Sequence, residues 1–373
     1  MDKNSSKIII DNGAGSIKVG FHSDYLPTVE IENIVGYPKQ TSGLNTNEYF
    51  IGQKIEENIE NLTLKYPIQD YYINWNEMET IWNHIFFNEL KVKTSEFKIF
   101  CTEKPLNSKM NREKITQIMF ENNEVGGFYI ACTSNCSLYS TGKTTGIVYD
   151  SGEGSTYFTP IYDGYALPHA ILRCSTAGRT LTDYFIKLLT NKLFSKNYFT
   201  QRKLIKEIKE RACCVAMDYG KEIEEAKDKS NEISYNLPDG DIVKIGYERF
   251  KCPEALFRPT FIGKSYSGIH EDLFQAIMKT DIDIRADMYK NIVLSGGSSL
   301  FLKLSERLTS ELIKLAPTSL GSSIKITAND DRKYSTWNGA ISILSLSASD
   351  QMFITKEEYD ENGPSIVHRK FCF

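Results

Sequence analysis

The chain has 373 residues, of which 44 are basic and 48 acidic, so its formal charge at neutral pH is -4. At ~150 residues per domain this length predicts roughly two or three domains, and 41% hydrophobic with 12% aromatic residues excludes a disordered or fibrous chain. The weak acidity argues against nucleic-acid binding through bulk charge, and no apolar run approaches the ~20 residues that span a bilayer, so we expect no direct nucleic-acid partner and no membrane insertion.

An apolar run at residues 8–10 ends in Asp11, and a glycine turn at 13–15 leads into an alternating segment at 16–21. This pattern predicts a β-hairpin with a carboxylate at the end of its first strand. Glycines let backbone N–H groups approach an anion closely, and Lys18 could reach a phosphate as a point charge. The alternatives are a glycine turn without a ligand and an Asp11 that caps the turn.

Two kinds of element are predicted after the first hairpin. Residues 36–49 are rich in Gly, Ser, Thr and Asn and have no periodicity, which predicts an exposed loop. Apolar residues at helical spacing predict helices at 78–90 and 111–121.

The first pattern recurs in the middle of the chain. A second apolar run at 146–149 ends in Asp150, and a glycine turn at 152–154 leads into an alternating segment at 155–159. Two hairpins of the same design indicate two similar lobes. The repetition favours phosphate binding over turns without a ligand, and Asp11 and Asp150 could hold a hydrated Mg²⁺.

The rest of the chain mixes helical and strand patterns. Apolar periodicity predicts helices at 181–194 and 201–216, and the lysines of the second form either a solvated face or a binding patch. Turn residues at 237–240 predict a hairpin over 233–245. This mixture of strands and helices predicts the α/β class.

A third glycine element lies further along the chain. An apolar strand at 292–295 runs into Gly296 and Gly297 and is followed by a helical pattern at 300–315. Such a turn suits the close approach of a nucleoside, and a simple strand–helix connection is the alternative.

The cysteines and the first residues bear on the compartment. The eight cysteines include no Cys-x-x-Cys pair, and the first seven residues lack the apolar core of a signal peptide. We therefore expect reduced thiols, no structural metal site and a cytoplasmic location.

Several segments together resemble actin. They are residues 144–152 and 162–173 around the second hairpin, 252–257, 331–335 and, most specifically, 358–370. With the two hairpins and the turn at 295–297, the chain resembles the actin family over nearly its whole length, and that fold is shared with sugar kinases and heat-shock chaperones. The resemblance implies an actin-like ATPase fold of class α/β, with two similar lobes, or four subdomains, around a nucleotide cleft.

The resemblance also implies domain boundaries and cofactors. The small lobe comprises residues 1–140 and 334–373, with 33–65 as subdomain 2. The large lobe comprises residues 141–333, with about 177–262 as subdomain 4. The cofactors are ATP or ADP, with Mg²⁺.

Ligand roles follow from the same resemblance. The residues placed around the phosphates and Mg²⁺ are Asp11, Gly13, Gly15, Ser16, Lys18, Asp150, Gly152, Glu153 and Gly154, with Asp11 and Asp150 holding the metal through water. Those placed at the ribose and adenine are Lys209, Glu210, Gly296, Gly297, Phe301 and Lys333. Phe301 replaces the family's tyrosine but keeps an aromatic face, and Glu153 replaces an aspartate, which is expected to shift the water shell of Mg²⁺.

The chain departs from the family at the two positions that activate the attacking water. In place of a glutamine and a histidine it has Thr133, whose reach is shorter, and Tyr157, whose phenol is a poor proton acceptor at neutral pH. We expect ATP binding with slow or absent hydrolysis, at most that of a slow Mg-ATPase. The alternative is that other residues reposition the water.

The surfaces that actins use for filament and partner contacts differ as well. The loop at 36–49 is shorter than in the family and has one apolar side chain at its tip, so buried apolar anchors are mostly missing. Asp70 replaces a histidine that is modified in many actins, and Lys264 adds a charge to the cross-strand plug. The family's apolar partner cleft maps to Tyr139, Gly142, Thr144, Gly164, Asn338, Ser342, Leu346 and Met352, where Asn338 and Ser342 replace branched aliphatic residues.

Three hypotheses remain. The first is an ATP-binding actin-like cytoskeletal protein that polymerises poorly alone or serves in a larger assembly, with other actin-like subunits and actin-binding proteins of altered selectivity as partners. The alternative is a conventional polymerising actin whose ATP hydrolysis times filament turnover. A small-molecule kinase on the same fold is opposed by the actin-specific segment at 358–370.

Overall fold

The computed structural model describes residues 7–40, 42–45, 48–69, 72–190, 198–226, 232–236 and 242–371. Its strands are β1 (Lys7–Asn12), β2 (Ser16–Phe21), β3 (Val29–Glu32), β4 (Val35–Pro38), β5 (Leu62–Lys65), β6 (Ile68–Gln69), β7 (Tyr72–Ile73), β8 (Lys98–Glu103), β9 (Gly127–Cys132), β10 (Gly146–Ser151), β11 (Thr156–Tyr162), β12 (Tyr165–Ala166), β13 (Leu172–Cys174), β14 (Ile233–Asn236), β15 (Ile242–Ile245), β16 (Ile292–Ser295), β17 (Ile326–Thr327) and β18 (Ile354–Thr355). Its α-helices are α1 (Gln53–Asn58), α2 (Trp75–Asn83), α3 (Lys109–Gln117), α4 (Thr133–Tyr139), α5 (Gly178–Leu189), α6 (Tyr198–Ala212), α7 (Tyr219–Glu225), α8 (Glu248–Glu254), α9 (Ile269–Met278), α10 (Arg285–Lys290), α11 (Leu304–Leu315), α12 (Thr318–Gly321), α13 (Ser335–Leu344), α14 (Lys356–Asn362) and α15 (Val367–Lys370).

The chain divides into two compact units. The first comprises residues 1–148, 159–171 and 334–373, and the second comprises residues 149–158 and 172–333. The lobe and subdomain boundaries expected from the sequence stay a prediction.

Two larger sheets carry the predicted hairpins. The first has the strand order β18-β9-β8-β1-β2-β3, in which β1 is antiparallel to β2 and parallel to β8. The second has the order β12-β11-β10-β16-β17, with β13 paired to β11. Each predicted hairpin therefore lies beside strands from further along the chain, and the predicted α/β class is confirmed.

Both faces of the first sheet are covered, because its strands are apolar at successive positions. Ile8 and Ile10 belong to a buried cluster that includes Trp82 of α2, whereas Ile9 belongs to a cluster with Trp337 of α13. Successive residues of a strand point to opposite faces, so this uninterrupted apolar run fills two cores at once.

Helices α4 and α13 approach each other at a glycine. A Cβ on Gly339 would overlap the backbone of Cys136, including its carbonyl oxygen. Any larger residue at this position would separate the two helices that cover Ile9, and the second core would lose its packing.

The predicted helices are confirmed, with boundaries that differ. The helix expected at 78–90 is α2 followed by a π-helical segment at His84–Glu89, and the one expected at 111–121 is α3 followed by a π-helical segment at Ile118–Asn122. Helix α5 begins at Gly178 rather than at 181, and residues 191–197 lie outside the described residues.

The boundaries of α6, of α11 and of the loop after β4 were also predicted wrongly. Helix α6 spans Tyr198–Ala212 rather than 201–216, and it does not continue because the Cys214 N–H donates to the Arg249 carbonyl and the Val215 N–H to the Leu302 carbonyl. Helix α11 begins at Leu304 rather than at 300, because Lys303 has φ 65°. In the loop expected at 36–49, residues 36–38 belong to β4 and pair with β5.

The hairpin predicted at 233–245 is confirmed in its strands. β14 and β15 are antiparallel, with Ile233 opposite Ile245 and Asn236 opposite Ile242. Its turn, residues 237–241, lies outside the described residues.

Candidate functional site

The first hairpin ends in a buried ion pair. Asp11 lies opposite Lys18 in the β1–β2 ladder, and its Oδ2 is 3.1 Å from the lysine Nζ. Thr102, near the end of β8, donates its hydroxyl to Oδ1 of Asp11 at 3.0 Å. Asp11 is 6% exposed and Lys18 8% exposed, so both carboxylate oxygens have protein partners where little water reaches them.

The electrostatic setting keeps Asp11 ionised. Burial alone would raise its pKa, but attraction by Lys18 and Lys104 and hydrogen bonds from Lys18 and Thr102 together lower it below the ordinary value of 3.8. Asp11 is therefore a carboxylate at neutral pH, which is the form that holds a hydrated cation. The charge of Lys18 is correspondingly balanced within the protein.

The turn between β1 and β2 is held through its carbonyl groups. The Gly13 N–H donates to the Asp11 carbonyl at 3.1 Å. Asn33 donates its side-chain amide to the Gly13 carbonyl at 2.9 Å and its backbone N–H to the Gly15 carbonyl at 3.1 Å. A Cβ on Gly13 would lie 2.5 Å from the carbonyl oxygen of Ser16, so the turn has no room for a side chain at this position.

Ser16 bonds to a carboxylate. Its hydroxyl donates to Oε1 of Glu30 at 3.1 Å, and the phenol of Tyr334 donates to Oε2 of the same residue at 3.2 Å. Glu30 lies opposite Lys18 in the β2–β3 ladder, so the two side chains share one face of the sheet. The Lys18 Nζ is 6.0 Å from the centroid of the Tyr334 ring.

The second hairpin turn is tied to the start of a helix. The N–H groups of Gly178 and Arg179, at the start of α5, donate to the carbonyls of Gly152 at 2.9 Å and Glu153 at 2.8 Å. The Ser298 hydroxyl also donates to the Gly152 carbonyl, at 2.8 Å. A Cβ on Gly178 would lie 2.6 Å from that hydroxyl and 2.8 Å from the Glu153 carboxylate, so these segments meet without space for a side chain.

The third glycine element crosses the end of β10. Gly296 has φ 86° and ψ 152°, a region essentially restricted to glycine. A Cβ there would overlap the Ser151 carbonyl oxygen and lie 2.9 Å from Oδ1 of Asp150. The Gly296 N–H donates to the Arg332 carbonyl at 3.1 Å, and the Arg332 guanidinium donates to the Ser299 carbonyl at 3.0 Å. The structure thus brings together two of the predicted nucleotide residues, Asp150 and Gly296.

Two lysines of α6 contact other residues of the second unit. Lys209 is 2% exposed and donates to the Gly178 carbonyl at 3.0 Å and to the Thr182 hydroxyl at 2.9 Å. Its ammonium therefore fixes α5. The Lys206 Nζ lies 3.9 Å from Oε2 of Glu153, which makes Glu153 part of a charge pair that the sequence did not predict.

The other residues assigned to the ribose and adenine lie in different environments. Phe301 is 7% exposed, Lys333 is half-buried and Glu210 is exposed. Gly154 is half-buried in the turn of the second hairpin. Their contacts with a nucleotide stay predictions.

The two positions that replace the water-activating residues are both buried. Thr133, the first residue of α4, is 2% exposed. Tyr157 is 5% exposed and lies opposite Arg173, whose guanidinium is 6.0 Å from the centroid of the phenol ring. Thr133 belongs to the first unit and Tyr157 to the second, and their role at an attacking water stays a prediction.

The predicted partner cleft lies within the first unit. Tyr139 donates its hydroxyl to the Gly164 carbonyl at 3.4 Å, and the Gly164 N–H donates to the Thr144 carbonyl at 2.8 Å. Gly142 and Gly164 have φ 72° and 85°, which glycine adopts without strain. Four of the positions predicted for the partner cleft therefore lie in neighbouring turns that are joined by hydrogen bonds.

The other four positions lie on or after α13. Ser342 donates its hydroxyl to the Asn338 carbonyl at 2.9 Å within the helix. Leu346 is 60% exposed, and Met352 packs against the cluster that contains Trp337. The surface here combines one exposed aliphatic side chain with the two polar residues that the sequence identified.

The predicted filament-contact segments are described in part. In the loop after β4, Ser42 donates its N–H to the Lys39 carbonyl at 3.0 Å, and Leu44 is half-buried. In the predicted plug, Ile262 is half-buried and Lys264 is exposed. Asp70 lies outside the described residues.

Three further features concern possible metal ligands, cysteines and membrane-spanning helices. In the parts of the chain that the structure describes, no group of three or more His, Cys, Asp or Glu is arranged to hold a metal ion. The described cysteines are buried free thiols. Within the same described ranges, no helix combines the length and apolarity needed to cross a bilayer.

Several residues that organise the turns were missed by sequence reasoning. Thr102, Glu30 and Ser298 are single polar residues in strands or turns, and the contacts that give them a role come from distant segments. Arg332 adjoins the predicted Lys333, so its charge could be read from the sequence. The sequence did not show that its side chain bonds to the Ser299 carbonyl. Gly178 precedes a predicted helix, and this position was the one feature of the sequence that could have indicated its role at the turn.

A comparison with protein families gives one further finding. The family model described as actin matches residues 2–372, which is nearly the whole chain.

Proposed function

The chain belongs to the actin family, and on that premise we propose that it is an ATP-binding, actin-like cytoskeletal protein with weakened or absent ATP hydrolysis. It takes ATP or ADP with Mg²⁺. It acts in the cytoplasm, as a poor self-polymeriser or as a subunit of a larger assembly.

The observation that carries nucleotide binding is the pair of glycine positions that exclude a side chain. Gly13 lies two residues after Asp11, and Gly296 lies beside Asp150 at the end of β10; both aspartates are buried, and a Cβ at either glycine would meet backbone. The N–H groups of Gly13 and Gly296 bond to protein carbonyls, so these glycines serve by bringing backbone close to Asp11 and Asp150, whose carboxylate oxygens are the ligands that Mg²⁺ prefers. The residues present therefore fit a magnesium nucleotide.

Individual roles follow from that fit. Asp11 and Asp150 would hold Mg²⁺ through water, Ser16 and the glycine turns would bind phosphate, and Phe301 would supply an apolar face for the base. Lys18 would neutralise phosphate charge. When bound, Mg²⁺ would polarise the phosphate oxygens.

Weak hydrolysis is supported by Thr133 and Tyr157. Neither a threonine hydroxyl nor a phenol is an effective proton acceptor at neutral pH, and both side chains are buried. Hence the protein binds ATP and releases phosphate slowly.

Phosphate release at saturating Mg-ATP tests this proposal. The wild-type protein should show little turnover, and the double substitution Thr133→Gln with Tyr157→His should raise the rate by about tenfold or more, because it restores an acceptor near the water. The single substitution Tyr157→Phe is the matched control and should leave the slow rate unchanged. Rapid turnover by the wild-type protein would overturn the proposal.

Altered assembly is supported by the surfaces of the first unit. Leu44, the apolar side chain of the loop tip, is half-buried, and Asn338 and Ser342 are polar at positions expected to form the partner cleft. Interfaces depend on a few buried apolar anchors, so self-assembly is weak and actin-binding proteins are selected differently.

Sedimentation after addition of salt and Mg-ATP separates this proposal from the alternative. A poor self-polymeriser stays in the supernatant at micromolar concentration, whereas a conventional polymerising actin forms filaments that pellet. Filaments coupled to rapid phosphate release would establish the alternative.

A further inference from the structure

We propose that Glu30 sets the nucleotide preference of this chain by weakening the binding of ATP relative to ADP. The proposal rests on the nucleotide site proposed above and assigns it a specificity-determining residue.

The first argument is the order of charges across the sheet. Lys18 lies opposite Asp11 on one side and opposite Glu30 on the other. Residues directly opposite each other share a face, so the Lys18 side chain leaves the sheet between the side chains of Asp11 and Glu30. Its ion pair with Asp11 is short and buried. Lys18 therefore has less positive potential to offer a phosphate than a lysine between neutral neighbours.

The second argument is competition for a donor. A serine hydroxyl has one proton to donate, and in this structure Ser16 donates it to Glu30. The second oxygen of Glu30 accepts from Tyr334, which holds the carboxylate beside the turn. An anion that accepts from Ser16 must displace Glu30 from that hydroxyl while its charge remains close by.

The third argument is that the free-energy cost of binding a ligand near Glu30 depends on the charge of that ligand. Repulsion between a fixed carboxylate and a ligand grows with the negative charge of the ligand. ATP carries one more negative charge than ADP, and adenosine carries none. Glu30 should therefore weaken the binding of ATP most, weaken the binding of ADP less and leave the binding of adenosine unchanged.

The experiment measures the affinities of ATP, ADP and adenosine by titration calorimetry with Mg²⁺, for the wild type and for Glu30→Gln. The substitution keeps the size of the side chain and removes its charge. Because Glu30 is exposed and water screens its charge, ATP should bind about threefold more tightly, ADP about twofold more tightly and adenosine equally well. Glu30→Asp keeps the charge, so the relative affinities for ATP, ADP and adenosine should stay as in the wild type. Glu57→Gln removes an exposed carboxylate of α1 and should change none of the affinities.

The outcomes separate this inference from its premise. Weaker ATP binding by Glu30→Gln would mean that the carboxylate helps to hold the metal, and it would overturn the inference. Equal changes for ATP, ADP and adenosine would also overturn it, because a structural effect does not follow ligand charge. If wild type and variants all fail to bind ATP and ADP, the proposed nucleotide function fails, and the inference fails with it.

Discussion

The two glycine hairpins share a sequence pattern and both hold their turns through carbonyl groups, yet the first adds charged side chains at its strands and the second adds the start of a helix. At the first hairpin the strands are joined by charged side chains, with Asp11 paired to Lys18 and bonded by Thr102. At the second hairpin the turn carbonyls of Gly152 and Glu153 accept hydrogen bonds from distant segments.

This difference predicts that the two hairpins are destabilised by different kinds of substitution. A buried ion pair depends on the presence of both partners and on pH, because either charge alone is costly in a dry environment. A turn held by several backbone bonds loses little when one donor is removed, but it fails where the close approach itself is blocked. The first hairpin should therefore be sensitive to the loss of a charge as well as to added side-chain volume at Gly13, whereas the second should respond mainly to added volume.

The largest effect is expected for Gly296→Ala in the second unit. The added Cβ would overlap the Ser151 carbonyl oxygen at a backbone conformation of φ 86° and ψ 152°. Strain at such a conformation and overpacking each cost about 1 to 3 kcal/mol, so we expect a loss of about 4 kcal/mol in the free energy of unfolding. Urea unfolding followed by circular dichroism measures it.

The neighbouring Gly297→Ala is the matched control. A Cβ on Gly297 meets no atom within 4 Å, so this variant should lose less than about 0.5 kcal/mol. Equal losses for the two variants would show that the turn responds to lost chain flexibility rather than to the blocked approach.

The next largest effect is expected for Lys18→Met in the first unit. The methionine keeps much of the volume and leaves Asp11 without its ion pair, and breaking a buried pair costs about 3 to 5 kcal/mol. Because Thr102 still donates to Asp11, we expect a loss near the lower value at pH 7, measured by urea unfolding. Lys206→Met, which removes the half-exposed partner of Glu153, should lose less than about 0.5 kcal/mol.

The pH dependence of this loss has a definite sign. In the wild type the pKa of Asp11 is lowered below 3.8, so the stability it contributes is present above that value and is lost only as the pH falls through the lower folded pKa. Without Lys18, burial raises the pKa of Asp11. The difference between wild type and variant should therefore shrink from pH 7 toward pH 4, as the variant protonates Asp11. A difference that stays constant would mean that Lys18 acts by packing.

The fold and the ends of the hairpins were predictable because they depend on local pattern. Apolar runs ending in Asp11 and Asp150 and followed by glycines specify a strand, a turn and a second strand, and those elements are confirmed. The helix ends were less predictable. Helix α6 does not continue past Ala212 because the carbonyls of Arg249 and Leu302 accept the N–H groups of Cys214 and Val215, and neither acceptor is near in sequence.

Residues for the candidate site could be proposed from the sequence, but the contacts that they make within the protein could not. Lys209 was expected at a nucleotide, yet its ammonium donates to Gly178 and Thr182. Glu30 was not expected at all, because its bond to Ser16 follows from the register of β2 and β3 rather than from a motif. Charge type can be read from the sequence, whereas the direction of a long side chain depends on tertiary contacts.

The smallest effect is expected for Ser298→Ala, which tests the distributed bonding of the second turn. Its hydroxyl donates to the Gly152 carbonyl, which also accepts from the Gly178 N–H. Since the carbonyl keeps one donor, the free energy of unfolding should fall by about 1 kcal/mol. Hydrogen exchange at the amides of Gly178 and Arg179 should rise several-fold as the turn loosens. Ser305→Ala, at an exposed hydroxyl of α11, should change neither quantity. A loss as large as that of Lys18→Met would show that the second turn also depends on one side chain, and the contrast between the two hairpins would no longer hold.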